Sequence, residues 1–184
     1  MVKIYVVYNF GQYNHLIHRT LRDLEVDTKL VENTTPVENL MDADGIVLGG
    51  GPSLEKIGKC GDYLREIDVP FLGICLGHQL MAELFGGEVG RGETGGYAEV
   101  RVRIVEEDEI FEGLPTELKV WASHADEVKK LPSDFKLLAT SDVCNIEAMR
   151  HKSKSIYGIQ WHPEVFHTEK GEDFYKNFVK ICRR

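Results

Sequence analysis

No stretch of the 184 residues approaches the roughly 18 consecutive apolar side chains that a membrane span requires. The opening run Met1-Val-Lys-Ile-Tyr-Val-Val-Tyr-Asn9 is also far short of a secretory core. A soluble, cytoplasmic protein is expected. Cysteine is scarce: four residues, at positions 60, 75, 144 and 182, form no Cys-x-x-Cys pair and are too scattered for a disulfide framework, which fits a reducing compartment. Basic charge is in deficit, with 22 Lys plus Arg against 30 Asp plus Glu and a formal net charge of −8. Such a surface repels polyanions and argues against nucleic-acid binding. Six prolines and 18 glycines give no collagen-like or disordered bias, and no internal repeat, low-complexity tract or linker is present. What remains is one compact domain over residues 1–184, about the size of a single α/β unit and able to bury about 70% of its unfolded surface.

Apolar patterning gives the architecture. A buried strand is expected at Lys3–Val7, and further strands at Asp27–Val31, Gly45–Leu48 and Pro70–Ile74. Helices are expected at Tyr13–Leu24, where Ile17, Leu21 and Leu24 share a face, at Glu55–Ile67, and at Leu76–Phe85, stopped by Gly86-Gly87. This alternation predicts a doubly wound, mostly parallel, flavodoxin-like sheet with helices on both faces. Beyond Gly87 the texture changes. Strands at Glu99–Val105, Leu118–Ala122, Phe135–Thr140, Ile146–His151 and Ile156–Gln160 predict an antiparallel extension in the C-terminal half. A closing helix, Glu169–Cys182, places Phe174, Phe178 and Ile181 on one face.

Chemistry concentrates in three segments. In Pro70-Phe-Leu-Gly-Ile-Cys75-Leu-Gly-His-Gln79 an apolar strand runs through Gly73-x-Cys75-x-Gly77 into a helix. This is the pattern of a nucleophile elbow with cysteine in place of serine, the glycines clearing a turn too tight for a β-carbon. The helix N-terminus favours a thiolate and a developing oxyanion. Taken alone, the pattern equally describes a buried cysteine between packing glycines. The second segment is Gly158-Ile-Gln-Trp-His162-Pro-Glu164. In extended backbone, His162 and Glu164 leave the same face, so the carboxylate can hold the imidazole in one tautomer; by itself the segment also reads as a surface turn. Joined with Cys75, the pair completes a nucleophile, base and orienter for acyl transfer. The third segment, Val47-Leu-Gly49-Gly50-Gly51-Pro52-Ser53, ends another strand and can present backbone N–H groups as a second oxyanion donor. It lacks the Gly-Lys-Ser/Thr ending of a phosphate loop.

The Gly-Ile-Cys-Leu-Gly-His-Gln elbow, the Gly-Gly-Gly-Pro loop and the Gln-Trp-His-Pro-Glu segment resemble the class I (triad-type) glutamine amidotransferase domain over essentially the whole chain. Phe10-Gly-Gln-Tyr13, Gly95-Gly-Tyr-Ala98, Val120-Trp-Ala-Ser-His-Ala-Asp-Glu-Val128 and His162-Pro-Glu-Val-Phe-His-Thr168 with Gly171 are similar to the glutaminase part of GMP synthases. The resemblance implies Cys75 as nucleophile, His162 as base and Glu164 as orienter. It also implies an oxyanion hole from the N–H groups of Gly51 and Leu76, with Gln79, Ser123 and Asp126 around L-glutamine. It further implies a separate ATP-pyrophosphatase (synthetase) subunit, because the Ser-Gly-Gly-Val-Asp-Ser loop is absent from this chain. ATP and Mg would belong to that partner, with no cofactor here. Rival readings are the glutaminase subunit of anthranilate or aminodeoxychorismate synthase, a Cys-elbow peptidase or chaperone of similar architecture, and a non-catalytic regulatory subunit. The His-Thr-x-x-Gly tail disfavours the first, Gln79 and His-Pro-Glu the second, and the intact triad the third.

Ala125 departs from the family's Ser-His-Gly-Asp pattern and puts in doubt how closely that backbone approaches substrate; Tyr8, Gly49 and Trp161 also depart, away from the triad. His15 and His18 have no carboxylate or cysteine nearby to complete a metal set, so no metal site is expected. His78, His124 and His167 are read as structural or as contacts, and Cys60, Cys144 and Cys182 as packing thiols. The stretch from His167-Thr168 to Gly171 reads either as a helix N-cap or as part of a partner-docking face.

Overall fold

In the computed structural model the described residues are 1–92 and 98–184, so the Gly95-Gly-Tyr97 part of the Gly95-Gly-Tyr-Ala98 motif lies outside them. One nine-stranded sheet organises the chain, in the order β2-β1-β3-β4-β9-β8-β7-β5-β6. The strands are β1 (Lys3–Tyr8), β2 (Asp27–Glu32), β3 (Gly45–Leu48), β4 (Phe71–Ile74), β5 (Glu88–Ile104), β6 (Glu117–Lys130), β7 (Phe135–Ser141), β8 (Ala148–His151) and β9 (Ile156–Ile159). From β2 to β9 neighbours are parallel; from β9 through β8, β7 and β5 to β6 they are antiparallel.

The helices are α1 (Asn14–Asp23), α2 (Cys60–Glu66), α3 (Leu76–Leu84) and α4 (Gly171–Cys182). Alternation along the strands sorts them onto two faces. Ile4 and Val6 join Ile17 and Leu21 of α1 and Phe174, Phe178 and Ile181 of α4 in one core. Tyr5 and Val7 join Tyr63 and Leu64 of α2 and Leu80 and Met81 of α3 in the other. Because both faces are covered, β3 and β4 are buried at every position, and their short apolar runs read directly as strands.

Five expected elements shift. The helix expected over Glu55–Ile67 is broken: a 3₁₀ turn at Leu54–Lys56, capped by Ser53, gives way at Gly58 (φ +54°) before α2 begins. A left-handed residue cannot continue a helix. The strands expected at Glu99–Val105 and Leu118–Ala122 are segments of the much longer β5 and β6. The segment expected from Ile146 begins as β8 only at Ala148. The last helix begins at Gly171 rather than Glu169, since Lys170 sits at φ 58°, ψ 24°. The glycine stop after α3 holds, with Gly86 at φ +91° and the Gly87 N–H donating to Ala82 O at 2.7 Å.

Candidate active site

The carboxyl ends of β1, β3, β4 and β9, four adjacent parallel strands, meet at one edge of the sheet. At the end of β4 the chain turns at Cys75 (φ 54°, ψ −102°) and enters α3 at once. Such backbone costs of order 1–3 kcal/mol at a non-glycine residue, and the surroundings hold it in place. The Cys75 N–H donates to Ile159 O at 2.8 Å. A β-carbon on Gly73 would lie 2.6 Å from Gly77 C, and one on Gly77 would lie 2.3 Å from Leu48 O. The two glycines are therefore required by close approach between strand, turn and helix.

His162 and Glu164 follow β9. Their side chains meet with His162 Nδ1 2.6 Å from Glu164 Oε1. The route differs from the extended backbone expected: this segment is a turn, in which Val165 N–H donates to His162 O at 3.3 Å. The other carboxylate oxygen accepts from Tyr175 O–H of α4 at 3.1 Å. Burial alone would push the imidazole pKa down. The Glu164 charge and the hydrogen bonds to Cys75 and Glu164 outweigh it, so the His162 pKa stands well above its usual value. Tyr175 moves well above the usual phenol value, by burial first and then by the Glu164 charge and hydrogen bond.

Thr168, one of whose two readings is a helix cap, does not cap α4. Its Oγ1 donates to His162 O at 2.7 Å and accepts Trp121 N–H at 2.9 Å, while His162 N–H donates to Trp121 O at 3.0 Å. The histidine backbone is thereby tied to β6. His167 packs against the Trp121 ring, centroids 5.3 Å apart.

The Gly49–Gly51 loop lies beside the elbow. Gly50 O accepts from Gly11 N–H at 3.1 Å and from Asn14 Nδ2 at 2.9 Å, and Gly49 O accepts from Asn9 Nδ2 at 3.0 Å. In a planar trans peptide the following N–H points opposite to the carbonyl, so the Gly51 N–H faces away from Gly11 and Asn14. Among the described residues, no acceptor takes up the N–H of Gly51 or of Leu76.

These parts line a cavity of about 630 Å³, within the usual range for a small-molecule site. Cys75, His162, Gly51, Leu76, Gln79, Ser123 and Asp126 all face it, as does Ala125. The Cys75 thiol donates to Ser123 O at 3.7 Å and accepts from Gln160 Nε2 at 3.6 Å. Gln79 Nε2 is taken up by Asp126 O at 2.8 Å and Gln160 Oε1 at 3.3 Å, which leaves its carbonyl oxygen for a ligand.

Of the other histidines and cysteines weighed in the sequence, His124 lines the cavity, whereas His78, Cys60, Cys144 and Cys182 do not. Burial pulls His78 down to about 3, and its Nε2 lies 3.2 Å from Ile146 O. His124, lowered by burial, contacts Asp126 O through Nδ1 at 2.8 Å. Burial pushes the Cys60 thiol up to about 12 and raises Cys144 and Cys182 as well. No group of three or more His, Cys, Asp or Glu is placed to hold a metal ion among the described residues. Sequence reasoning missed Asn9, Asn14, Gln160 and Tyr175. The available signal was a buried amide at the end of an apolar strand, at Asn9 after β1 and at Gln160 after β9.

A strand-turn-helix cysteine with a carboxylate-held histidine, on a doubly wound sheet, defines a thiol-dependent acyl-transfer site. The family model for glutamine amidotransferase class-I matches residues 5–182, and the chain belongs to that family. It is 69% identical over 183 residues to a glutamine-hydrolyzing GMP synthase subunit of Archaeoglobus fulgidus, covering 100% of each chain. It is 59% identical to the protein of the same name from Methanococcoides burtonii, covering 98% of this chain and 97% of the relative. A solved structure of a GMP synthase subunit from Thermoplasma acidophilum is similar at TM-score 0.95 and 42% identity, covering 100% of this chain and 94% of that one. A glutamine amidotransferase from Thermotoga maritima shares the fold at TM-score 0.76 and 22% identity, covering 99% and 82%.

Proposed function

We propose that this chain is the glutaminase subunit of a two-subunit GMP synthase, hydrolysing L-glutamine and delivering ammonia to a separate ATP-pyrophosphatase subunit that converts XMP to GMP. The observation that carries the reaction is Cys75 at a positive-φ elbow with the Glu164-held His162 beside it, both on one cavity. Full-length relatives that bear the name of a glutamine-hydrolyzing GMP synthase subunit support the choice of acceptor enzyme. ATP and Mg belong to the partner in this reading. The absence of any helix long and apolar enough to cross a membrane, among the described residues, is compatible with a cytoplasmic site of action.

Cys75 passes its proton to His162 Nε2, and the thiolate attacks the side-chain amide carbon of glutamine. The resulting oxyanion is received by the N–H groups of Gly51 and Leu76 at the start of α3, donors that cost no reorganisation because the loop and helix already fix them. As the intermediate collapses, His162 returns the proton to the amide nitrogen, the C–N bond breaks and ammonia leaves a thioester. Water then loses a proton to His162 and attacks the thioester. A second oxyanion forms, the C–S bond breaks with its electron pair going to sulfur, and glutamate is released. Gln79, whose nitrogen is engaged, offers an acceptor suited to the substrate ammonium.

Free ammonia is mostly protonated in neutral water and unreactive toward an activated purine, so hydrolysis should be coupled to the partner. Phe166, 96% exposed two residues past Glu164 and packed edge-on against His167, marks the surface for that contact.

The test is glutamine-dependent GMP formation from XMP and ATP by this chain with its synthetase partner, set against Cys75→Ala. The variant should lose glutamine-dependent synthesis and retain synthesis from added ammonia. No GMP from the wild-type pair, or glutamine-driven amination of chorismate with a different partner, would refute the assignment.

A further inference from the structure

The geometry points to Gln160 as a further catalytic residue, one whose side-chain N–H holds the Cys75 sulfur as a thiolate and receives it again when the thioester breaks. This rests on Cys75 being the nucleophile of the reaction proposed above. Gln160 stands between β9 and the His-Pro-Glu turn, is fully buried, and donates its own backbone N–H to Glu147 O at 2.8 Å. Its side chain cannot rotate away without abandoning both of its partners.

Which end of the amide faces sulfur follows from a fixed acceptor. Asp126 O is a backbone carbonyl and can only accept, so the Gln79 atom 2.8 Å from it must be nitrogen. That same nitrogen faces the Gln160 amide at 3.3 Å, which must therefore present oxygen to it. The nitrogen of Gln160 is then left 3.6 Å from Cys75 Sγ. Reversing either amide would set two donors or two acceptors against each other, with the chain of polarity broken at a buried site.

Beside His162, two further groups touch the sulfur, and they have opposite preferences. Ser123 O, at 3.7 Å, accepts the S–H and so favours the thiol. The Gln160 N–H favours the anion, since a donor gains strength when its acceptor becomes charged. Proton transfer to His162 thus exchanges one sulfur contact for another already in place. The same donor meets the sulfur at the end of the cycle, when the C–S bond of the second tetrahedral intermediate breaks and its electron pair returns to Cys75.

Replacing the amide by Gln160→Met keeps length and removes the donor. Gln160→Glu keeps shape and turns a carboxylate oxygen toward sulfur. The readout is the pH dependence of Cys75 alkylation by iodoacetamide in the free chain, mapped by mass spectrometry and needing no glutamine. The midpoint should rise by about one unit in Gln160→Met, a tenfold loss of thiolate below the midpoint, and further in Gln160→Glu. A residue that only packs would lower stability without this order. In the wild type the Gln160 side-chain amide proton should shift in NMR spectra with the same midpoint as Cys75 alkylation, and the titration should vanish in Cys75→Ala. An unchanged alkylation midpoint in folded variants, or a wild-type amide resonance indifferent to Cys75 ionisation, overturns the proposal. Failure of the glutaminase reading would instead appear as a normal thiolate shift without glutamine turnover.

Discussion

Glu164→Gln should be far more damaging alone than in combination with Tyr175→Phe. The reason lies in the two oxygens of Glu164, one 2.6 Å from His162 Nδ1 and the other 3.1 Å from the Tyr175 hydroxyl, in a side chain with no exposure. An amide must give one of these places to NH₂. Tyr175 is fully buried and donates its proton to this carboxylate, so the amide oxygen stays with Tyr175 and the NH₂ turns toward His162. Nδ1 must then accept, which moves the imidazole proton to Nε2, where the base should be open to receive the Cys75 proton. In serine proteases the equivalent wrong tautomer costs about 10⁴ in kcat, and a loss of that order is expected here. The bias against turning the amide over is the cost of stranding one buried hydroxyl, about 1–3 kcal/mol. Removing the hydroxyl with Tyr175→Phe takes that bias away, and at 1.36 kcal/mol per tenfold the double variant should regain about 5- to 150-fold in kcat over the single one. The assay is glutaminase kcat of wild type, both single variants and the double variant, each in the assembled complex with XMP and ATP. Tyr175→Phe alone should lose little, since the carboxylate keeps its bond to His162. A folded double variant no more active than Glu164→Gln would refute the argument that Tyr175 fixes the orientation.

Thr168→Val keeps shape but loses the bonds to His162 O and Trp121 N–H; about 2 kcal/mol of stability should go, and kcat should fall with KM nearly unchanged as His162 drifts, measured by denaturant unfolding and steady-state kinetics. Glu147 is pushed up to about 7 by burial, opposed by the Ser141 hydrogen bond and reinforced by the Glu127 charge. Because this folded pKa exceeds the ordinary value of 4.5, the stability that goes with the protonated carboxyl is whole below pH 4.5 and is lost as pH climbs through about 7. Over that window wild type should fall by about 3 kcal/mol relative to Glu147→Gln, which has no proton to lose there; parallel stability curves would refute the assignment.

The parts of the fold legible in the sequence were those where one physical demand dominated. β1, β3, β4 and β9 are short and covered on both faces, so their apolar runs had no competing explanation. The elbow was legible because glycine at both flanks of Cys75 answers a steric requirement that few other arrangements impose. The full lengths of β5 and β6 were not, since charged and polar residues interrupt both and half-exposed antiparallel ribbons tolerate them. Thr168 misled for a sharper reason. A threonine before an acidic residue carries a cap signal, but here its hydroxyl is spent on His162 and Trp121, the latter 47 residues away in sequence. The amide relay was invisible for the same reason: Gln79 and Gln160 are 81 residues apart and belong to no common period.

What the long-range contacts have in common is an anchor in backbone. Gly50 O fixes Asn14, Gly49 O fixes Asn9, Asp126 O fixes Gln79 and through it Gln160, and Ile159 O fixes the Cys75 turn. Each carbonyl sits at or beside the carboxyl edge of a parallel strand, except Asp126, which comes from the middle of the long antiparallel β6. β6 reaches the site because the sheet reverses direction after β9: an antiparallel strand can pass the edge and lay its middle against it, as the His162 N–H to Trp121 O bond shows. The parallel half therefore supplies nucleophile, oxyanion loop and base at a spacing set by strand pitch, about 4.8 Å per strand. The antiparallel half supplies the wall that orients their side chains. Loss of the β6 contact should disorder the amides before it disturbs the elbow, since the elbow's own bond runs to β9.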